Sequence, residues 1–380
     1  MTVRVLIVST SMGAGHDRVA GELARRLAEA GHDSLVVDHL DLLALRLGPL
    51  MRWYYRMQLR YAPWSYETTF RLLPRLHGLF CLLNGVLAGP RLQRTVTRFD
   101  PHVIVSNNPH ASLTLGWLRQ HDKLAVPAVT YVTDLGVHAL WVHPAVDHHL
   151  VVHVVAAADA VAFAQTSTVT VCQPLIPARS SHAAVAPVDP STLDVPTGKG
   201  VALITCGSWG VGQVEATVSA MARSTALFPV VACGQDQALL ARLLRRDDCA
   251  AVGWVDDLAP LMASARVVIE NAGGSSALES IAAGIPLITF RPIPGHGVCN
   301  AHAMARAGLT RFVRDDRDLV KVAEQAAVDG PDQSAAAAWR AAPDPAGLII
   351  ALVSPAPADG RIGPDPPGDE AGPGGAARTR

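Results

Sequence analysis

At 380 residues the chain has room for two domains of ordinary size. Hydrophobic residues make up 49% and charged residues 17%, with a formal net charge of -1, which excludes a disordered chain and one basic throughout for nucleic acid. The six cysteines (Cys81, Cys172, Cys206, Cys233, Cys249 and Cys299) have neither CxxC nor zinc spacing, so reduced, mostly buried thiols in a cytoplasmic protein are expected.

The opening "VRVLIVS" (3–9) reads as a buried parallel strand, "HDRVAGELARRLAEAGH" after it as a helix ending at Gly31, and "SLVVD" (34–38) as a second strand. The apolar run at the N-terminus is too short for a signal peptide. No later run is expected to reach the roughly 20 residues of a spanning helix, so the chain is expected to be soluble or peripheral. Further strands are expected at 102–106, 127–133 and 148–153, making residues 1–173 one α/β half. Residues 174–198 gather Pro, Ser and Ala and read as a linker. The alternation restarts with strands at 201–206, 229–233, 251–255, 266–271 and 286–290, so 199–353 is expected to form a second Rossmann-like half facing the first across a cleft. The tail 354–380 is dominated by Pro, Gly and Ala and is expected to be disordered.

Three turns carry chemistry. "STSMGAGHDRVA" places Gly13, Gly15 and His16 between strand and helix. The third glycine of a dinucleotide fingerprint is missing, so an ordinary βα turn and a nicotinamide site, with Asp38 as its acid, both stand beside a third reading. In that third reading the His16 imidazole faces the cleft as a general base. "TCGSWGVGQVE" puts Gly207, Ser208, Gly210 and Gly212 after a strand. "NAGGSSALE" puts Asn271, Gly273, Gly274 and Ser275 after another and opens a helix. Two glycine turns in one half can flank a diphosphate, and Glu279 in the following helix either accepts from a ribose diol or is a surface carboxylate near the helix start.

The segment 46–98 carries nine arginines against a single acid, Glu67, with Tyr54, Tyr55, Tyr61 and Tyr66 interleaved with Trp53 and Trp64. Arg52, Arg56 and Arg60 recur at i,i+4 and form a stripe. An amphipathic helix at an anionic lipid surface and a helical insertion packed on the first half are the two readings. His138, His143, His148 and His149 lack a tight chelating spacing, so no metal is expected.

Taken in order, "STSMGAGHDRVAGELARRLAEAGH", "VTDLGVHALWVHPAVDHHLVV" and "NAGGSSALESIAAGIPLITFRPIPGHGVCNAHAMARAG" resemble the monogalactosyldiacylglycerol synthase family and, more distantly, the peptidoglycan N-acetylglucosaminyltransferase. The resemblance runs over most of residues 1–315 and implies the GT-B fold. It implies a second half that binds a UDP-sugar, with Glu279 on the ribose, Gly273, Gly274, Ser275 and Ser208 at the phosphates, and Gly253 and Trp254 in the turn that reads the uracil. His296 and Asn300 are implied to reach donor phosphate or sugar hydroxyls. Similar transferases carry a Gln or an acidic pair in that segment where this chain reads Gly-His-Gly-Val-Cys-Asn, so the donor sugar stays open. The first half is implied to hold the acceptor, with His16 as base, Asp134 as orienter or alternative base, and Trp141 as either an acceptor platform or a packed surface Trp.

The expectation is thus a UDP-sugar-dependent hexosyltransferase acting with inversion and without metal or other cofactor. Its acceptor is expected to be a hydroxyl of a lipid or other amphipathic molecule, met peripherally at the inner membrane face. A soluble natural-product acceptor with 46–98 as a lid, a nucleotide-sugar-binding protein without turnover, and an epimerase on the same fold are the alternatives.

Overall fold

The structure, a computed structural model, describes residues 2–164, 167–177, 185–271, 273–330 and 332–354. The first half runs β1 (Arg4–Ser9), α1 (Ala14–Glu29), β2 (Asp33–Asp38), α2 (His39–Leu42), α3 (Leu47–Tyr61), α4 (Pro63–Phe99), β3 (Val103–Ser106), α5 (Pro109–Gln120), β4 (Ala128–Tyr131), β5 (His148–Val151), α6 (Val154–Ala164) and β6 (Thr168–Val171). The second half opens with β7 (Gly200–Thr205), α7 (Val214–Met221), β8 (Leu227–Ala232), α8 (Gln237–Leu243), β9 (Ala250–Val252) and α9 (Ala259–Ala263). It continues with β10 (Ala265–Glu270), α10 (Ser275–Ala283), β11 (Leu287–Phe290), α11 (His296–Arg306), β12 (Arg311–Val313), α12 (Asp316–Asp329), α13 (Ser334–Ala341) and α14 (Pro345–Ala351).

Each half holds a six-stranded sheet, ordered β2-β1-β3-β4-β5-β6 and β12-β11-β10-β7-β8-β9, and every strand pair is parallel. Helices cover both faces, which is why β1, β3 and β7 read as unbroken apolar runs: Leu6, Ile7, Val105 and Leu203 have no exposed surface. The order reverses between β1 and β3 in one sheet and between β7 and β10 in the other. Ligands of open parallel sheets sit in the crevice at such a reversal, beyond the carboxyl ends of the strands. The glycine turns at 11–15, 207–212 and 271–275 lie at these two points.

The insertion 46–98 is a helical hairpin. Gly85 and Gly89 let α4 lie against α5, since a Cβ on Gly85 would stand 2.1 Å from Trp117 Cδ2. Among the described residues α4, with 37 residues and a mean hydropathy of 1.3 over its most apolar 18-residue window, is long and apolar enough to cross a bilayer by length and composition. That corrects the expectation that no run would be; one third of the window is buried against protein.

At the C-terminus the chain turns back on the first half. Trp339 Nε1 donates to Val152 O at 2.7 Å, and Arg26 pairs with Asp344 at 2.7 Å. The reading of 199–353 as one half did not anticipate this return. The expected tail beyond Ser354 and residues 178–184 of the expected linker lie outside the described residues.

Candidate active site

A cavity of about 420 Å³ lies between the two sheets, in the size range of small-molecule sites. One wall comes from the first half: Gly13, Gly15 and His16 at the start of α1, Asp134, His138 and Trp141 beyond β4, and the inner face of the hairpin through Tyr55, Tyr66 and Phe70. The facing wall holds Gly207, Ser208, Gly253, Trp254, Asn271, Gly274, Ser275 and His296.

Gly13 has φ +93°, a conformation that favours glycine, and supplies no side-chain cap to α1. The cap comes from the other half, because Ala14 N donates to Ser208 Oγ at 3.0 Å. Gly15 lies so close to Ser275 that a Cβ would stand 3.2 Å from its Oγ. The turn expected at the acceptor and the turns expected at the phosphates therefore face one another directly. Gly274 at the N-cap of α10 likewise offers no side-chain acceptor, which leaves the start of that helix suited to an anion.

His16 is held by its backbone, whose carbonyl accepts from Asn107 Nδ2 at 2.7 Å, while its Nδ1 is shielded from solvent with no hydrogen-bond partner. Burial lowers its pKa below the ordinary 6.5, opposed by the charge of Asp134, so the imidazole is neutral at pH 7 and able to take a proton. Its ring lies 6.1 Å from that of Trp141, whose Nε1 donates to Asp134 Oδ2 at 3.1 Å. Trp141 is fully buried, so the surface-Trp reading is replaced by one in which the indole is a cavity wall that also fixes the carboxylate.

In the second half Glu270, which sequence reasoning passed over, holds the turn expected at the phosphates. Its carboxylate accepts from Gly273 N and, at 2.5 Å, from Thr289 Oγ1. The signal was a carboxylate at the end of an otherwise apolar strand. Asn271 Nδ2 donates to Val211 O at 2.8 Å and ties the two glycine turns together. Gly273 backs onto Asn300, whose Cβ would be 2.6 Å from an added Cβ.

One expected donor contact is placed differently, and another is set back in a space that adjoins the cavity. Asn300 is fully buried and accepts at Oδ1 from Gly136 N of the first half at 2.8 Å, so it is a strut between the halves rather than part of the cavity wall. Glu279 lies outside that wall too. Its side chain is 2% exposed, pairs with Arg18 Nη1 of α1 at 3.4 Å, and borders an adjoining pocket of about 200 Å³. Arg18 joins the two spaces, with its guanidinium 5.5 Å from the Trp254 ring centre. This replaces the alternative of Glu279 as a surface carboxylate.

The arginine stripe is held by protein partners, with Arg60 still exposed. Arg52 bonds Ser11 and, at 3.0 Å, Asp38; Arg56 sits over Trp209; Arg60 pairs with Asp236 of the second half at 3.5 Å. The reading of these three as a lipid-facing stripe is thereby corrected. Facing outward instead are Trp53 (59% exposed), Tyr61 (71%) and Trp64 (72%), with Leu72, Leu79 and Val86 further along α4. His143, His148, His149 and His153 serve local bonds, as His148 Nε2 to Thr170 Oγ1 at 2.8 Å and His149 Nδ1 to Ser167 Oγ at 3.0 Å, while His138 lines the cavity. Among the described residues no group of three or more His, Cys, Asp or Glu is arranged to hold a metal.

The family model for monogalactosyldiacylglycerol (MGDG) synthase matches residues 16–172, the half that carries His16, Asp134 and Trp141. The chain resembles the monogalactosyldiacylglycerol synthase family of GT-B glycosyltransferases. A processive diacylglycerol beta-glucosyltransferase of Bacillus cereus is 23% identical to this synthase-like chain over 330 residues, covering 83% of each. A protein of the same description from Bacillus thuringiensis (strain Al Hakam) is 23% identical over 332 residues, again with 83% coverage of each. Among solved structures, the glycotransferase of kitacinnamycin superposes with a TM-score of 0.59 at 17% identity, covering 93% of this chain and 100% of its own. Acinetobacter baumannii MurG does so with 0.55 at 13%, covering 93% and 99%. These likenesses carry the GT-B fold.

Proposed function

We propose that the protein transfers a hexose from a UDP-sugar to the hydroxyl of a diacylglycerol-like lipid, with inversion and without a metal. The observation that carries this is a single cavity in which a neutral imidazole and a carboxylate from one half face the glycine turns and helix start of the other, under an aromatic and aliphatic hairpin. His16 takes the proton of the acceptor hydroxyl as that oxygen attacks the anomeric carbon. Asp134, held by Trp141, stabilises the imidazolium that forms. The amides at the start of α10, with Ser208 and Ser275, stabilise the departing diphosphate in place of a cation. One displacement, with base and leaving group held by different halves, inverts the anomeric centre. The matches to diacylglycerol beta-glucosyltransferases support the lipid acceptor, and the outward Trp53, Tyr61 and Trp64 support peripheral docking at the cytoplasmic membrane face.

The test is a thermal-shift and calorimetric panel of UDP, UDP-glucose, UDP-galactose, UDP-N-acetylglucosamine, UDP-glucuronate and NAD on wild type and Glu279→Ala. Stabilisation by UDP ligands that is lost in the variant is expected. A response to NAD alone, or to no UDP ligand, overturns the donor assignment. Diacylglycerol-containing vesicles then serve as acceptor, and transfer to soluble aglycones but not to lipid refutes the acceptor assignment.

A further inference from the structure

The tip of the α3–α4 hairpin belongs to the first half yet bonds directly to the second. Tyr66 Oη lies 3.0 Å from His296 Nδ1, and Glu67 Oε2 accepts from Gly295 N at 2.5 Å. Gly295 has φ +71°, and a Cβ there would stand 2.6 Å from Tyr66 Cε1 and 3.1 Å from Phe70 Cγ, so the approach depends on glycine. Tyr55, whose ring packs edge-on against both Tyr66 (5.4 Å) and Trp209 of the second half (6.0 Å), and the Arg60–Asp236 pair hold the same tip in place. Tyr66 and His296 both line the main cavity, together with His16 and Asp134.

We infer that this hairpin tip completes the donor-sugar subsite of the opposite half, with Tyr66 as the positioning residue for His296 and Glu67 as the carboxylate that fixes the start of α11. The inference rests on the UDP-sugar reading above. Burial keeps the Tyr66 hydroxyl protonated far above its usual range and holds His296 neutral, so a hydrogen bond between two uncharged groups engages Nδ1 and leaves Nε2 as the other ring nitrogen. A neutral imidazole whose ring direction is set by the tyrosine can hydrogen-bond one sugar hydroxyl through Nε2 in one orientation. The Glu67 carboxylate, bridged to Arg71 at 2.8 Å through its other oxygen, holds the residue before His296 and so sets where α11 begins. The proposed nucleotide contacts at Ser208, Ser275 and Trp254 lie on other loops, and neither Tyr66 nor Glu67 bonds to those three residues.

The experiment compares calorimetric affinities for UDP with those for UDP-glucose and UDP-galactose in wild type, Tyr66→Phe and Glu67→Gln, and the donor KM and kcat of each. The expected result is a UDP affinity within about twofold of wild type, with the extra affinity for the preferred UDP-sugar falling about tenfold, as for one lost hydrogen bond. An unchanged ratio of UDP-sugar to UDP affinity overturns the inference and leaves the donor assignment standing. So does an equal loss for both ligands, which marks the tip as a structural strap, and so does a wild type that binds the UDP-sugars no better than UDP. A wild type that binds no UDP ligand refutes the donor assignment, and the inference falls with it.

Discussion

Replacing Asp134 with Asn tests the acid–base pair most directly, because an amide oxygen can still accept from Trp141 Nε1 while the charge is removed. The carboxylate lies one hydrogen bond beyond an indole whose ring is 6.1 Å from His16. Asp134 is the charge that acts most strongly on His16, and at an effective dielectric near ~20 a carboxylate roughly 8 Å from an imidazolium stabilises it by about 2 kcal/mol. That corresponds to a fall in kcat of roughly 30-fold. The ground state loses little, because burial already holds His16 below its ordinary 6.5 and the imidazole is neutral at pH 7 with or without Asp134. The sign of the pH effect follows. Asp134 raises the His16 pKa, so removing it moves the acidic limb of the kcat/KM profile to lower pH even as the plateau drops. The assay is transfer of radiolabelled sugar from the preferred UDP-sugar into diacylglycerol vesicles between pH 4.5 and 8.5. A variant with wild-type kcat and an unmoved limb refutes the coupling of Asp134 to the base.

His16→Asn is expected to lower kcat by about 10²–10⁴ with a smaller change in UDP affinity, and full turnover in that variant shifts the role of base to another group. Gly85→Ala gains about 1 kcal/mol of helix propensity but drives a methyl into Trp117 at 2.1 Å, an overpacking cost of about 1–3 kcal/mol, so a net fall in Tm is expected by calorimetry. Burial depresses His39 to about 3 and His110, His138, His143 and His149 each to about 4. The unfolded chain therefore binds more protons below about pH 6.5, and stability should fall as pH drops from there towards 4. His39→Gln, which keeps a hydrogen-bonding group near Thr114, should flatten that slope in urea titrations at stepped pH.

Five of the six strands in each sheet were legible as apolar runs, because strands buried on both faces carry little else. The two that escaped, β6 and β12, are edge strands, Thr-Val-Thr-Val and Arg-Phe-Val, too short and too polar to stand out from loop. The glycine turns were legible because positive φ and close approach demand glycine locally, as at Gly13 and Gly273. What spacing could not supply was direction. The i,i+4 recurrence of Arg52, Arg56 and Arg60 defines a stripe, but the partners that hold it, Asp38, Trp209 and Asp236, lie in other elements. Likewise Asn300 sits in a segment that invites a ligand role, and only the placement of α11 beneath Gly136 makes it a strut. Tyr66 and Glu67 stand out locally only as an aromatic and a lone acid among arginines, and nothing local points to their partners in the second half, which lie more than two hundred residues away.

Several of the groups assigned to the donor also join the halves. Ser208 accepts from Ala14 N, Ser275 lies against Gly15, Glu279 pairs with Arg18 and His296 meets Tyr66. These contacts differ in what they allow a ligand to do. A serine hydroxyl that accepts from one partner keeps its own hydrogen, so Ser208 can cap α1 and donate to a phosphate at once, and binding there reinforces the apposition of the halves. The Glu279 pair with Arg18 is long at 3.4 Å, and a ribose diol donating to that carboxylate competes with the guanidinium for its oxygens. A nucleotide with an intact ribose therefore exchanges one bridge between the halves while strengthening another, and inorganic diphosphate does only the second. Small-angle scattering with diphosphate, UDP and UDP-sugar in turn separates the two effects. Diphosphate should draw the halves together more than UDP does, and equal compaction by both ligands refutes the competition at Glu279.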